Sequence, residues 1–219
     1  MTITDITQQV KNKKRYSVFV DGSFAFGIDG IDLLCHGLEI GQRLDKDYYD
    51  KMLNHLEYAK CRDSAVKYLG TGLKSICMTR KKLASKEFSP ASIEKVITLL
   101  QEKGYLDDIV FAKAFISHKT KINNFGRRRI EQELRAKGVS NKNINTAFGK
   151  SDGASDLEAA RRALQKKLRN KDINLIADNP KELQKIKMFL MRRGFDFYII
   201  DHVINEMGEE NGNSRPNFY

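Results

Sequence analysis

The chain has 219 residues, 41% of them hydrophobic and 31% charged, and a formal net charge of +11. This composition argues against a disordered chain, because enough apolar side chains are present to form a core. No apolar run resembles a signal peptide or approaches the roughly 20 residues of a membrane helix, and the positive charge favours an acidic protein or a polyanion as partner.

Short strands are predicted in the first thirty residues. The segment RYSVFV is followed by Asp21-Gly22, a pair that suits a tight hairpin turn, and then by SFAFGI. Strict alternation predicts that Phe19 lies on one face of this hairpin. The opposite, apolar face is predicted to hold Val18, Val20, Phe24 and Phe26.

The pattern is helical from about residue 44 to residue 208, and Asp45 is a candidate N-cap for the first long helix. Breaks at Gly, Asn and Ser-Pro positions divide this region. We predict five segments: a β-hairpin region with a helix at 1–58, helical repeats at 59–106, 107–150 and 151–208, and a disordered tail at 209–219.

An internal repeat organises the helical region. RKKLASKEFSPASIEKVI, EQELRAKGVSNKNINTAF and KMFLMRRGFDFYIIDHVI align with offsets of 51 and 56 residues. In the last two copies a helix ends on Lys-Gly or Arg-Gly, with Gly as the residue after the cap, while the first copy has Glu87 there. We expect neighbouring copies to stack and to share these core residues: Leu83, Phe88, Ile93, Ile130, Leu134, Val139, Ile144, Leu190, Phe195 and Ile200.

Basic residues recur at corresponding places in the copies. Residues 1–60 hold 8 Lys or Arg and 9 Asp or Glu, whereas residues 61–219 hold 31 and 19. Such clusters make either a surface for a polyanion or a solvated face with ion pairs such as Glu131–Arg135. The candidate contact residues are Arg80, Lys81, Lys82, Arg127, Arg128, Arg129, Arg135, Arg161, Arg162, Lys166, Lys167, Arg169, Arg192 and Arg193.

Catalytic and metal-binding patterns are not found. YLGTGLKS resembles a phosphate-binding loop but has Leu73 between Gly72 and Lys74, and the four histidines lack metal-ligand spacing. Asp107-Asp108 is better explained as an N-cap followed by a first-turn acid. The three cysteines form no C-x-x-C pair, so we expect free thiols and a cytoplasmic protein. Since no catalytic or metal-binding pattern is found, we also expect that the protein is not an enzyme and needs no cofactor.

Several segments together resemble the RecX family, the regulators of the bacterial recombinase RecA. GYLDDIVFAKAFISHK is similar to the family's Gly-apolar-apolar-Asp-Asp pattern, FGRRRIEQELRAKGVS to the helix pair that follows, and FLMRRGFDFYIIDHVI to its Arg-Arg-Gly-Phe segment. VDGSFAFGI resembles the start of many members. The resemblance covers roughly residues 5–207, and Glu87 and Thr79 depart from it in the first copy.

The resemblance implies a mainly α fold: an elongated, curved array of three tandem three-helix repeats behind a small N-terminal β-hairpin region. It also implies a monomer that binds the RecA filament on single-stranded DNA, blocks its ATPase and strand exchange in DNA repair and recombination, and binds duplex DNA weakly. Contacts could be made to RecA or to DNA. Two alternatives remain: an independent helix-turn-helix DNA-binding module, and a scaffold for acidic proteins.

The arginines that open the second copy provide a test of the contact surface. We expect reversal of Arg127, Arg128 and Arg129 to Glu to leave the fold intact and to abolish filament inhibition.

Overall fold

The computed structural model describes residues 1–149, 153–169, 173 and 179–213. Strands β1, β2 and β3 span Ile3–Gln8, Arg15–Val20 and Ser23–Asp29. The helices in the described ranges are α1 (Gly30–Cys35), α2 (Lys46–Leu69), α3 (Ile76–Ala84), α4 (Pro90–Glu102), α5 (Asp108–Lys121), α6 (Arg127–Ala136), α7 (Asn141–Phe148), α8 (Ala154–Leu168), α9 (Pro180–Arg192) and α10 (Phe197–Asn213). The predicted mainly α fold with a small N-terminal β region is therefore confirmed.

The chain divides into two compact units. Unit 1 comprises residues 1–71 and 80–102, and unit 2 comprises residues 72–79 and 103–219. The division falls inside α3, whose first residues belong to unit 2. In unit 1 the antiparallel sheet, in the order β1-β2-β3, packs its apolar face against α2, which begins at the predicted N-cap Asp45.

A β-bulge changes the predicted face of the hairpin. Val18 pairs with Phe26 but Phe19 pairs with Phe24, so β3 has one additional residue, Ala25, between these pairs. The additional residue reverses the alternation beyond it. The assignment of Phe24 to the buried face was wrong: its side chain is 60% exposed and meets Phe19 edge-on, with ring centroids 5.9 Å apart.

The turns that end α3, α6 and α9 share one backbone geometry. The aligned residues Glu87, Gly138 and Gly194 have φ values of 63°, 79° and 91°. In each turn the N–H of this residue donates to the carbonyl three residues earlier. The first copy therefore keeps the left-handed conformation although Glu87 carries a Cβ atom that disfavours it.

The aligned apolar positions lie mostly in the interior. Leu83 and Ile93 are buried, and Phe88 is half-buried. In the second copy Ile130, Leu134, Val139 and Ile144 form one cluster with Phe111 and Ala112. In the third copy the buried cluster includes Leu190, Phe195 and Ile200.

The end of the last helix differs from the predicted tail boundary. Helix α10 continues to Asn213, past the predicted limit at residue 208. A single interior glycine such as Gly208 costs a helix only about 1 kcal/mol, and the buried Met207 holds this part of α10 on the core. The remainder of the predicted tail, 214–219, and the predicted repeat boundary at 150/151 lie outside the described residues.

Replacement of Glu87 by Gly should stabilise the protein by roughly 0.5–1 kcal/mol. Glycine adopts the left-handed conformation without strain, and this gain exceeds the entropy that the more flexible unfolded glycine loses on folding. Chemical denaturation would measure the change. Gly138→Ala is the opposing control: an added Cβ would lie 2.3 Å from the Cys77 Cβ atom, so it should destabilise. A lower unfolding free energy for Glu87→Gly would contradict the assigned turn geometry.

The fully buried Leu134 provides a test of the second cluster. Leu134→Ala should lower the free energy of unfolding by about 2–5 kcal/mol, as large-to-small core substitutions do. Leu73→Ala, at an exposed position, serves as the control and should change the free energy of unfolding little.

Candidate functional site

Two of the predicted contact arginines enclose an aromatic ring of unit 2. The guanidinium carbon of Arg129 lies 3.8 Å from the ring centroid of Phe125, and that of Arg193 lies 5.7 Å from it. Arg193 Nη1 also donates to the carbonyl oxygens of Asn123 (2.7 Å) and Asn124 (3.3 Å). Burial, with the nearby Arg129 charge, lowers the pKa of the Arg193 guanidinium. These arginines therefore join the second and third copies.

The alternation of rings and cations continues on both sides of Phe125. Each cation of this cation–ring row lies between 4.7 and 5.7 Å from the centroids of its neighbouring rings. Such contacts cover half-buried rings with the alkyl stems of the basic side chains. The row runs in the order Lys137, Phe115, Lys119, Phe125, Arg193, Phe189 and Lys167.

Ion pairs engage most of the other predicted arginines. Glu131 accepts from both Arg127 (2.7 Å) and Arg135 (3.1 Å), and Arg127 also stacks on Phe148. Further pairs join Arg80 to Glu94, Arg128 to Asp196, Arg161 to Glu206, and Arg162 to Glu158. Arg162 additionally donates to Asn124 Oδ1 at 3.0 Å. For these residues the structure agrees with the second alternative, a solvated face with ion pairs.

The cations that remain have a different environment. Five of the predicted residues are exposed, and the described part of the chain offers their side chains no ion pair or hydrogen bond; they are Lys81, Lys82, Lys166, Arg169 and Arg192. In unit 2, Arg192 and Lys167 line a cavity of about 430 Å³ whose apolar wall includes Phe189. The structure thus separates cations that have an ion-pair or hydrogen-bond partner in the described part of the chain from those that have none there, a distinction that charge counting misses.

Acidic side chains cap helices that belong to the preceding copy. Asp107 caps its own helix α5, as predicted, by accepting from the N–H groups of Ile109 and Val110. Asp108, in contrast, is buried and accepts from the N–H of Ile76, the first residue of α3, at 3.0 Å. The prediction of Asp108 as a first-turn acid of its own helix was therefore incomplete.

The same device recurs one copy later. Asp156 of α8 interacts with the N–H of Arg127, the first residue of α6, which lowers the pKa of its carboxyl; the N-cap of α6, Gly126, has no side chain to offer. Burial raises the pKa of the Asp156 carboxyl, repulsion from Asp196 and Glu131 adds to the rise, and Arg127 opposes it. Ile76 and Arg127 are 51 residues apart, which is the repeat offset, whereas Asp108 and Asp156 are 48 apart, so the alignment relates the two helix starts but not the two acids.

The turn glycines complete the contact between copies. Ser75 Oγ donates to the carbonyl of Lys137 at 2.6 Å, and one copy later Gly126 N donates to the carbonyl of Arg193 at 2.9 Å. The backbones approach so closely that a Cβ atom on Gly194 would lie 2.4 Å from Arg129 N. In the third copy α9 is instead capped by its own Asn179, which accepts from the N–H groups of residues 181 and 182.

These contacts change the expected effect of reversing Arg127, Arg128 and Arg129. Each would place a glutamate beside an existing carboxylate, namely that of Glu131, Asp196 or Glu133. Because the three arginines bind side chains within unit 2, we now expect this reversal to destabilise the fold as well. The variant cannot separate contact from folding.

Within the described ranges no three His, Cys, Asp or Glu side chains are grouped to hold a metal ion, and no helix is long and apolar enough to cross a membrane. All three cysteines are free, and burial raises the pKa of the Cys61 thiol to about 11.

Comparison with known proteins identifies the class as a regulatory protein built from three-helix domains. Family models match residues 1–45 (regulatory protein RecX N-terminal domain), 107–147 (RecX, second three-helix domain) and 154–204 (RecX, third three-helix domain). The chain belongs to the RecX family of regulatory proteins.

Individual relatives agree with this assignment. The chain is 33% identical to regulatory protein RecX of Bacillus pumilus, over 93% of this chain and 76% of that protein, and 30% identical to that of Clostridium acetobutylicum, over 96% and 98%. A crystal structure of regulatory protein RecX aligns with a TM-score of 0.67 at 22% identity, covering 93% of this chain and 98% of that one. RecX from Lactobacillus salivarius aligns with a TM-score of 0.61 at 22% identity, covering 69% and 96%.

Replacement of Asp156 by Asn should raise the melting temperature at pH 7. The raised pKa means that folding disfavours the ionised carboxylate, so stability is lost as pH rises through the folded pKa. Asn keeps an oxygen beside the Arg127 N–H but never ionises, so its advantage should disappear below about pH 4, the pKa of an unfolded aspartate. Melting curves from pH 3 to 8 would measure this, with Asp156→Ala as a control that loses the acceptor at every pH. An advantage that does not shrink at low pH would contradict the assignment.

Proposed function

We propose that the chain binds the RecA filament on single-stranded DNA and lowers its ATP hydrolysis and strand exchange. Membership in a family of regulatory proteins supports a regulatory role, and the residues of unit 2 support an anionic partner. The observation that carries the proposal is a set of exposed cations in that unit that have no ion pair or hydrogen bond to any residue the structure describes: Lys166, Arg169 and Arg192, next to Lys167.

Such cations can neutralise DNA phosphates or carboxylates on the filament surface, and either contact is weakened by salt. The cation–ring row and the helix caps supply rigidity, because they hold the second and third copies together through buried contacts. A rigid surface loses little entropy on binding. When it contacts several filament subunits at once, it opposes the changes between them that accompany ATP hydrolysis.

A second candidate is an independent duplex-DNA-binding module. Helices α6 and α7 are joined by the tight turn at Gly138, which resembles a helix-turn-helix arrangement. Helix α7 exposes Asn141, Lys142 and Asn145, side chains able to contact base edges. This candidate requires sequence-dependent binding to duplex DNA in the absence of any recombinase.

The proposal is tested by RecA's DNA-dependent ATP hydrolysis with this protein at substoichiometric and equimolar amounts. The wild type should inhibit. Combined Lys166→Glu, Arg169→Glu and Arg192→Glu should weaken inhibition by about tenfold or more and, if the contacts are to phosphates, lower the salt slope of single-stranded DNA binding by about 2.

A matched control is Lys46→Glu, Lys51→Glu and Lys103→Glu, which changes the net charge equally at exposed lysines elsewhere. It should inhibit as the wild type does. If the variant of Lys166, Arg169 and Arg192 inhibits as strongly as the wild type, these three residues do not form the contact. Absence of inhibition by the wild type, with DNA binding intact, would favour the independent module.

A further inference from the structure

Unit 1 carries an open apolar groove between the β1–β2 connection and α1. Its volume is about 680 Å³, and its lining includes Tyr16, Leu33 and the side of α1. Helix α1 buries none of its residues fully: Leu33 packs against the core, while Ile31 and Leu34 are 76% and 81% exposed. Two neighbouring aliphatic side chains so exposed beside a cavity are typical of a binding surface.

The groove is formed by well-anchored backbone. The N–H of Gly30 donates to the carbonyl of Lys14 at 2.9 Å, which ties the start of α1 to the connection. Asn12 orders the connection from within: its carbonyl accepts from Arg15 N (2.9 Å) and its side chain from Lys14 N (3.1 Å). A Cβ atom at Gly30 would lie 3.2 Å from Tyr16 Cε2, so a side chain there would press on this ring.

Positive charge is concentrated at the edge of this groove. Four of the eight Lys and Arg residues of segment 1–60 fall within positions 11–15. Arg15 pairs with Asp29, which lines the groove together with Lys13 and Lys14; Lys11 lies next to them, and these three lysines are exposed and without an ion pair to any described residue. The rest of segment 1–60 holds 4 Lys or Arg and 9 Asp or Glu, a net charge of −5, so the lysine edge beside this apolar floor is a local concentration of positive charge.

We infer that this groove binds an acidic amphipathic helix of a partner protein. Apolar anchors at helical spacing would cover Ile31 and Leu34, and carboxylates on the flanks of the same helix would meet Lys13 and Lys14. The phosphate backbone of a nucleic acid would satisfy the lysines but leave the aliphatic side chains in water. The site is distinct from the basic residues of unit 2 and is tested without RecA.

The probe is a fluorescein-labelled synthetic helix of about 15 residues with Leu at three- and four-residue spacing and Glu between, together with a counterpart that carries Lys in place of Glu. Fluorescence anisotropy with the full chain should show binding of the acidic helix and none of the basic one. Ile31→Glu combined with Leu34→Glu should weaken binding by about tenfold or more.

Charge exchange supplies the second measurement. The variant with Lys13→Glu and Lys14→Glu should bind the acidic helix more weakly and should bind the basic helix. Loss of folding cannot produce this reversal. Val66→Glu is the matched control: Val66 is a 55% exposed aliphatic residue on α2 of the same unit, and its replacement should leave binding unchanged.

Three results would overturn the inference: no binding of the acidic helix by the wild type, equal binding by the Ile31/Leu34 variant, or binding to vesicles of phosphatidylserine and phosphatidylcholine in preference to the helix. The last would identify an anionic lipid surface as the occupant.

Discussion

The contact on which unit 2 depends is the capping of a helix by an acid from the following copy. The first backbone N–H groups of a helix have no partner within it, and leaving them buried and unpaired is costly. Asp108 accepts from such a group at the start of α3, and Asp156 interacts with the Arg127 N–H at the start of α6. The first helices of the first and second copies are therefore completed by the copy that follows, which couples folding of one to stacking of the other.

The third copy caps its first helix differently. Helix α9 has its own cap, Asn179, followed by Pro180, whose missing N–H would have no partner within the helix. Helix α6 begins with Gly126, which has no side chain to cap with but permits the close approach of Gly194. The copies thus differ in whether a helix start is completed locally or by another copy.

Basic side chains in this protein perform two physical roles. Arg129 and Arg193 cover Phe125 and hold the copies together, so part of the net positive charge is structural. Lys166, Arg169 and Arg192 remain outward-directed and can meet an anionic partner. Unit 1 contributes a different chemistry, an aliphatic groove with a lysine edge. A regulatory protein with these two surfaces can engage polyanionic and protein components by separate means.

Much of the fold could be predicted from local pattern. The three-copy repeat, the turns at Gly138 and Gly194, the N-caps Asp45 and Asp107 and the apolar positions such as Leu134 depend on periodicity and on backbone preferences that act over a few residues. The sequence alone also placed the excess positive charge after residue 60. These features need no knowledge of distant contacts.

Only the tertiary structure decided which charged side chains are internal. Asp108 and Ile76, or Arg193 and Asn123, are 32 and 70 residues apart, so no short-range pattern marks them as partners. The bulge opposite Phe19 likewise depends on how two strands pair. Arg193, which covers aromatic rings, and Arg192, which is exposed, are adjacent in sequence. Burial and long-range packing separate their roles, and these exist only in the folded chain.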